Sequence, residues 1–189
     1  MPAKNSCHRW TYYDLNTKQK EEIYQYTVKS YEKGETGKVF DEVTFWEKVK
    51  GGPWVFYGDT ELKGYVSVRE NCELPELIKL TGMAGDKRSL LIGCKHLLAM
   101  KRPIVGAVTP ELSKLAKKFG FTVIENEILK QFIAMSPSHL WGTNGKPKIG
   151  KDGFVKFTMA ELGGETFKKN LICNKAFIGW AKKLIESRG

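Results

Sequence analysis

The sequence is poor in the residues that build disulfide frameworks and metal sites. It has four cysteines and three histidines in 189 residues. The cysteines lie far apart and include no CxxC pair, which argues for free thiols rather than a disulfide framework or a zinc knuckle. Cys94 and His96 are two positions apart on a predicted helix, so their side chains face different directions. We therefore predict no metal site and no Cys/His nucleophile.

Long apolar runs are also missing. No segment approaches the roughly 20 apolar residues that a membrane-spanning helix needs. The first residues, MPAKNSCHRWTYYDL, hold no apolar core of the kind found in a signal peptide. We therefore expect a cytoplasmic protein without a membrane partner.

Acidic residues are fewer than basic ones. Asp and Glu number 21 against 31 Lys and Arg, which gives a net charge of +10. Such an excess favours an anionic partner, either a nucleic acid or a phosphorylated cofactor. The alternative is that the lysines only keep a small protein in solution.

Apolar periodicity and turn residues predict helices and strands in the order α-α-β-β-β-α-β-α-β-β. The predicted helices cover 17–34, 44–51, 86–100 and 110–120, and the predicted strands 54–57, 64–69, 77–80, 103–109, 121–125 and 129–135. Hairpins followed by strand–helix crossovers indicate an α/β fold, with a mixed sheet that is parallel in its middle and antiparallel at its flanks.

Residues 142–189 differ in composition from the chain before them. A glycine-rich polar linker, 142–153, precedes a strand or turn at 154–162 and an amphipathic helix at 171–185. This segment carries ten basic and four acidic residues. We predict a domain over 1–141 and a basic C-terminal extension over 142–189 that packs on it.

The stretch IKLTGMAGDKRSLL, which begins at Ile78, predicts a strand, a loop over 82–87 and a helix N-terminus. This order of elements can cradle a phosphate. Asp86 fits an N-cap and would compete for the helix amides, whereas Lys87 and Arg88 would attract the phosphate. The alternative is a capped turn without a ligand.

Two segments, 77–100 and 103–125, resemble the GNAT N-acyltransferase superfamily. The second ends in Lys118-Phe119-Gly120-Phe121, similar to the family signature "xxYEKLGF". The resemblance covers about residues 10–135 and implies splayed parallel middle strands that hold acyl-CoA, with an amine acceptor. The chain departs from the family's Gln/Arg-x-x-Gly-x-Gly/Ala loop, because Thr81, Ala84 and Asp86 stand at those positions.

The resemblance also implies candidate site residues. The cofactor-binding residues for acetyl-CoA or another acyl-CoA would be Leu80, Thr81, Gly82, Met83, Ala84, Gly85, Asp86, Lys87 and Arg88. Ala116 stands where the family often has a tyrosine acid, which leaves Ser113 and Thr109 as candidates. A general base beside apolar rings would have a raised pKa, and Glu76 and Glu70 are the candidates.

The acceptor and nucleic-acid candidates are aromatic and basic. They are Trp54, Tyr65, Lys168, Lys169, Lys182 and Lys183. Rings in and next to the extension suit an unstacked base; they are Trp141, Phe154, Phe157 and Trp180. The alternative is that these rings dock the extension on the domain, which is favoured for Phe177 and Trp180 because they are three apart on a helix.

These patterns lead to two hypotheses about function. The first is an N-acyltransferase that modifies an amine, with a nucleobase of DNA as one acceptor, similar to phage proteins of the Mom type in a bacterial or phage-infected cell. The second is a catalytically inactive GNAT-like fold that binds nucleic acid or serves as a phage structural protein.

Overall fold

A computed structural model describes residues 7–10, 12–32, 41–49, 54–57, 64–70, 73–141, 145–159 and 163–189. Within these ranges the chain forms nine strands, six α-helices and two short 3-10 helices, Tyr12–Asp14 and Ser138–Leu140. It divides into two compact units: residues 1–70 with 79–100, and residues 71–78 with 101–189. The predicted mixed α/β class is confirmed. In the described residues, no helix is long and apolar enough to span a bilayer.

Unit 1 consists of a four-stranded sheet region and three helices. Its elements are β1 (Cys7–Trp10), α1 (Thr17–Glu32), α2 (Glu42–Val49), β2 (Trp54–Tyr57), β3 (Gly64–Glu70), β4 (Ile78–Gly85, whose first residue is counted with unit 2) and α3 (Lys87–Ala99). The strand order is β1-β2-β3-β4, and β2 pairs antiparallel with β1 and with β3. The predicted hairpin of β2 and β3 is confirmed.

The core of unit 1 lies between α1, α2 and the sheet. Its buried side chains include Leu15, Ile23, Phe45, Trp46, Tyr65 and Ala84. Helix α2 begins earlier than the predicted start at Thr44. The carboxylate of Asp41 accepts the Thr44 amide at 3.1 Å and the Thr44 hydroxyl at 2.7 Å. These hydrogen bonds lower the pKa of Asp41 and satisfy an amide at the helix N-terminus.

Unit 2 is organised around its longest strand, β9. Its elements are β5 (Ile104–Val108), α4 (Pro110–Lys118), β6 (Thr122–Val123), α5 (Asn126–Met135), β7 (Lys148–Ile149), β8 (Val155–Met159), β9 (Glu165–Cys173) and α6 (Lys175–Arg188). The C-terminal half of β9 pairs antiparallel with β5 and β6, and its N-terminal half with β8. Strand β7 pairs antiparallel with β8.

Helices cover different faces of β9. Leu171 and Cys173 belong to an apolar cluster that includes residues of α5 and α6. Asn170 lies on the other face, because side chains alternate along a strand, and its amide bonds to Ser113 of α4. Phe132 of α5 contacts Phe177 and Trp180 of α6, with ring centroids 5.0 and 6.1 Å apart. These contacts agree with the docking alternative for Phe177 and Trp180, and the packing of the extension on the domain stays a prediction.

Three predictions about local structure were wrong. Residues 129–135 form part of helix α5 rather than a strand, and Leu129, Phe132 and Ile133 are buried at helical spacing. The predicted linker contains strand β7, and residues 171–173 end strand β9 rather than starting a helix. Periodicity alone does not separate a short apolar helix from a strand. The proposed boundary between residues 141 and 142 stays a prediction.

The side chain of Asn174, which follows the end of β9, forms hydrogen bonds with the start of β5 and with the first turn of α6. Its side-chain oxygen accepts the backbone amides of Ile104 at 2.9 Å and Phe177 at 3.0 Å. Its amide nitrogen donates to the Arg102 carbonyl at 2.7 Å. The side chain is 4% exposed and caps helix α6. One buried residue thus fixes the start of β5 and the start of α6.

We expect Asn174→Ala to lower the free energy of unfolding by about 2–4 kcal/mol. The change removes a helix cap, worth about 1 kcal/mol, and leaves a buried amide unsatisfied, which costs about 1–3 kcal/mol. Denaturant unfolding measures the effect. Asn126→Ala is the control, because Asn126 is exposed at the start of α5 and should change stability by less than about 0.5 kcal/mol. Equal effects at both positions would contradict this account.

Candidate functional site

The predicted phosphate loop is shorter in the structure than the sequence pattern indicates. Strand β4 continues through Gly85, and helix α3 begins at Lys87. The loop expected over 82–87 was therefore wrong, and only Asp86 separates the strand from the helix. Leu80 and Ala84 are buried and Met83 is half-buried, as the inward and outward positions of a strand require.

Gly85 lies where the backbone turns sharply from strand β4 into helix α3. Its φ of 145° lies in the region that favours glycine. Asp86 occupies the N-cap position, and its backbone carbonyl accepts the Leu90 amide at 3.0 Å. Asp86, Lys87 and Arg88 are all exposed. The helix N-terminus therefore carries one exposed carboxylate and two exposed cations in sequence, at the end of a helix that favours anions.

Thr81 and Gly82 are held by strand β3. The Thr81 and Ser67 hydroxyl oxygens are 2.7 Å apart, and Ser67 also donates to the Gly82 carbonyl at 3.4 Å. A Cβ at Gly82 would lie 3.3 Å from the Ser67 hydroxyl oxygen. Gly82 therefore serves the packing of β4 on β3. These contacts fix the strand that leads into the junction.

Tyr65, a predicted acceptor residue, is 1% exposed. Its hydroxyl bonds to Thr27, which itself donates to the Ile23 carbonyl. Burial, followed by the neighbouring Tyr31, raises the pKa of Tyr65. The phenol therefore stays protonated and serves the core in this structure. Trp54 lies in β2 opposite Ser67, and its side chain falls outside the described part of the chain.

Ser113 is part of a polar cluster between α4 and β9. Its hydroxyl donates to the Pro110 carbonyl at 2.7 Å and accepts from the Asn170 amide at 2.8 Å. Ser113 is buried rather than exposed. Thr109 has a structural contact of its own, because its hydroxyl oxygen accepts the Leu112 amide at 3.1 Å and caps α4.

The candidate general bases lie in different units. Glu70 ends β3 in unit 1, and Glu76 lies in a turn of unit 2. Both side chains are exposed, whereas the hypothesis expected a carboxylate packed against apolar rings. Their catalytic roles stay predictions.

The four candidate lysines do not form one patch. Lys168 is exposed, and its ammonium lies 2.8 Å from the Asp152 carboxylate. Lys169 points to the opposite face of β9 because it is the next residue, and burial lowers its pKa. Lys182 and Lys183 are exposed on α6.

The aromatic candidates of the extension mostly face the core. Trp141 and Phe157 are buried, and the Trp141 indole donates to the Ser136 hydroxyl at 2.8 Å. Trp180 is half-buried and packs on Phe132. In this structure Trp141 and Phe157 are therefore not available to stack on a base.

Sequence patterns did not indicate Asn170, Lys148 and Lys156. Asn170 orients Ser113, and the two lysines lie opposite each other on β7 and β8. Alternation in VKFTM and ETFKKN signals strands, but the pairing partners depend on the register. Only the fold brings Asn170 to Ser113.

The structure is similar to solved acetyltransferases. A GCN5-related N-acetyltransferase from Kribbella flavida has 12% identity and a TM-score of 0.56, with 92% of this chain and 99% of that chain covered. Tetrahymena GCN5 has 11% identity and a TM-score of 0.54, with 89% and 94% covered. An acyl-CoA N-acyltransferase from Pseudomonas aeruginosa has 9% identity and a TM-score of 0.50, with 90% and 99% covered.

These likenesses confirm the predicted GNAT-like fold. At this level of identity they concern the fold alone. No protein-family model matches the sequence, and no curated protein matches it either. The resemblance to phage proteins of the Mom type stays a prediction.

We expect Gly85→Ala to lower the free energy of unfolding by about 1–3 kcal/mol, because the φ of 145° strains any residue with a Cβ. Gly179→Ala is the matched control. Gly179 lies on α6, and a Cβ added there would meet no atom within 4 Å, so alanine should stabilise the helix by about 0.5–1 kcal/mol. Thermal and denaturant unfolding measure both variants. A neutral Gly85→Ala would contradict the assigned backbone conformation.

Proposed function

We propose that the protein transfers an acetyl or related acyl group from acyl-CoA to an amine. In this reaction the amine nitrogen bonds to the acyl carbonyl carbon while the carbon–sulfur bond of the thioester breaks. The amine loses a proton, and the leaving thiolate gains one. A nucleobase amine of DNA is the acceptor that suits a chain with a net charge of +10, and we propose that the reaction takes place in the cytoplasm.

The junction between β4 and α3 supports this proposal most directly. A glycine in the left-handed region, a helix N-terminus and two exposed cations follow one another at Gly85, Asp86, Lys87 and Arg88. The amides and the cations suit the pyrophosphate of CoA. The acyl-CoA N-acyltransferase of similar fold makes acyl-CoA the first donor to test.

Asp86 sets the strength of this site. Its negative charge at the N-terminus of α3 opposes a phosphate there. Lys87 and Arg88 supply two positive charges in the first turn of the helix. We propose that the two cations outweigh the carboxylate, so acyl-CoA binds with reduced affinity rather than not at all.

We expect saturating acetyl-CoA to raise the thermal midpoint by several degrees. A ligand at about a hundred times its dissociation constant stabilises the native state by roughly 2.7 kcal/mol. Lys87→Ala should reduce the shift. Lys95→Ala is the matched control, because Lys95 is an exposed lysine two turns further along α3. Asp86→Asn should enlarge the shift.

No midpoint shift in the wild-type protein would overturn the acyl-CoA proposal. The second candidate function, an inactive fold that binds nucleic acid or serves in a phage particle, would then be favoured. The departures from the family loop at Thr81, Ala84 and Asp86 support that alternative. An equal loss of the shift in Lys87→Ala and Lys95→Ala would show a general charge effect rather than a phosphate site.

We propose Ser113 as the proton donor to the leaving thiolate, a role that requires its hydroxyl to turn away from the Pro110 carbonyl. The hydrogen bond from Asn170 to its oxygen stabilises negative charge on that oxygen. We propose no catalytic role for Thr109, whose hydroxyl caps α4. Glu76 and Glu70 remain the proposed general bases.

We expect Ser113→Ala to lower kcat about 100-fold, the lower range for loss of a general acid, with KM for acetyl-CoA unchanged. Ser187→Ala is the matched control, because Ser187 also donates to the carbonyl three residues earlier, Leu184, at 2.8 Å. Steady-state kinetics with an amine acceptor measure both. Unchanged kcat in Ser113→Ala would remove Ser113 from the mechanism.

A further inference from the structure

We propose that a row of three lysines on unit 2 binds the phosphate backbone of duplex DNA. The row consists of Lys148 on β7, Lys156 on β8 and Lys168 on β9, and is called the lysine row below. The choice of DNA rests on the proposed acceptor, whereas the row itself does not depend on acyl transfer.

The strand register places the three lysines side by side. Lys148 pairs with Lys156, and Lys156 pairs with Lys168. Directly paired residues of antiparallel strands project from the same face of the sheet. Neighbouring strands lie about 4.8 Å apart, so the row spans roughly 10 Å. All three side chains are exposed.

The lysine row lies on the face of the sheet that does not carry the core. The next residues on β8 and β9, Phe157 and Phe167, pair with each other on the opposite face, and Phe157 is buried. Beside the row on the same face, the hydroxyl oxygens of Thr158 and Thr166 are 3.4 Å apart. Hydroxyl groups can also bond to phosphate oxygens.

The charges of the row are only partly balanced. Like charges directly opposite each other destabilise a sheet, and the row contains two such pairs. Asp152 bonds to Lys168 at 2.8 Å, and this hydrogen bond, with the charges of Lys168 and Lys156, lowers the pKa of Asp152. Three ammonium groups against one carboxylate leave an excess that phosphates would neutralise.

The surroundings favour a duplex over a single strand. Single-strand sites combine basic residues with rings on which bases stack. The candidate rings Trp141 and Phe157 are buried in unit 2. A duplex keeps its own bases stacked, and each of its strands carries one phosphate per about 3.4 Å of helix axis. A row of about 10 Å therefore suits roughly three phosphates of one strand.

The test compares two triple variants that remove equal charge. The first replaces Lys148, Lys156 and Lys168 with alanine, and the control replaces Lys117 on α4, Lys130 on α5 and Lys175 on α6, all of which are exposed. Binding to a labelled DNA duplex is measured between about 50 and 200 mM salt, a range over which the loss of affinity reports the number of phosphate contacts. Thermal unfolding confirms that each variant is folded.

We expect the slope of log affinity against log salt to be smaller in magnitude by about 2–3 in the row variant, because each phosphate contact contributes about 0.9 to that slope. The control should keep the wild-type slope. Asp152→Asn should tighten binding, because it frees Lys168. Equal slopes in the wild type and the row variant, or an equal loss in the control, would overturn the proposal.

Two further experiments identify the kind of anionic partner and distinguish DNA binding by the row from the proposed acyl transfer. Polyglutamate that competes as well as DNA at equal charge would indicate an acidic protein and overturn the DNA assignment, as would tighter binding of duplex RNA. The binding assay contains no acyl-CoA, and the acetyl-CoA midpoint shift is measured separately on the row variant. Loss of DNA binding with an unchanged shift supports the row. If acetyl-CoA shifts the thermal midpoint of neither the wild type nor the row variant, the acyl-transfer proposal is overturned and the lysine row is not affected.

Discussion

The architecture of unit 2 depends on the buried hydrogen bonds of Asn174. This side chain receives amides from Ile104 and Phe177 and donates to the Arg102 carbonyl. It therefore sets where β5 begins relative to the end of β9, and where α6 leaves the sheet. A buried amide with all these partners is worth more than its separate hydrogen bonds suggest, because an incomplete network would leave polar groups unsatisfied.

The register of β9 then determines the position of two polar features of unit 2, the hydrogen bond between Asn170 and Ser113 and the lysine row. With β9 fixed against β5, Asn170 lies opposite Val108 and reaches Ser113. Further along the same strand, Lys168 lies opposite Lys156. Asn170, which bonds to the proposed proton donor, and Lys168 of the lysine row thus lie on the same face of β9.

Sequence patterns were sufficient for the fold class and for the hairpin of β2 and β3, because alternation and turn residues are local signals. They failed at residues 129–135, where Leu129, Phe132 and Ile133 suit either a strand or a helix until a partner such as Phe177 is known. They also did not indicate why residue 82 is glycine. A side chain there would lie close to the hydroxyl of Ser67 on the neighbouring strand β3. The lysine row was not predictable either, since it arises from the register between strands.

The pairing of β5 with β9 has a consequence for how the chain folds. Val105 lies opposite Cys173, so a long loop must close before the apolar strand IVGAV gains this neighbour. Non-local pairing of this kind slows folding, and an open apolar edge invites pairing with another chain in the meantime. Charged side chains, lysine above all, oppose such pairing between chains, and β7, β8 and β9 each carry an exposed lysine at Lys148, Lys156 and Lys168.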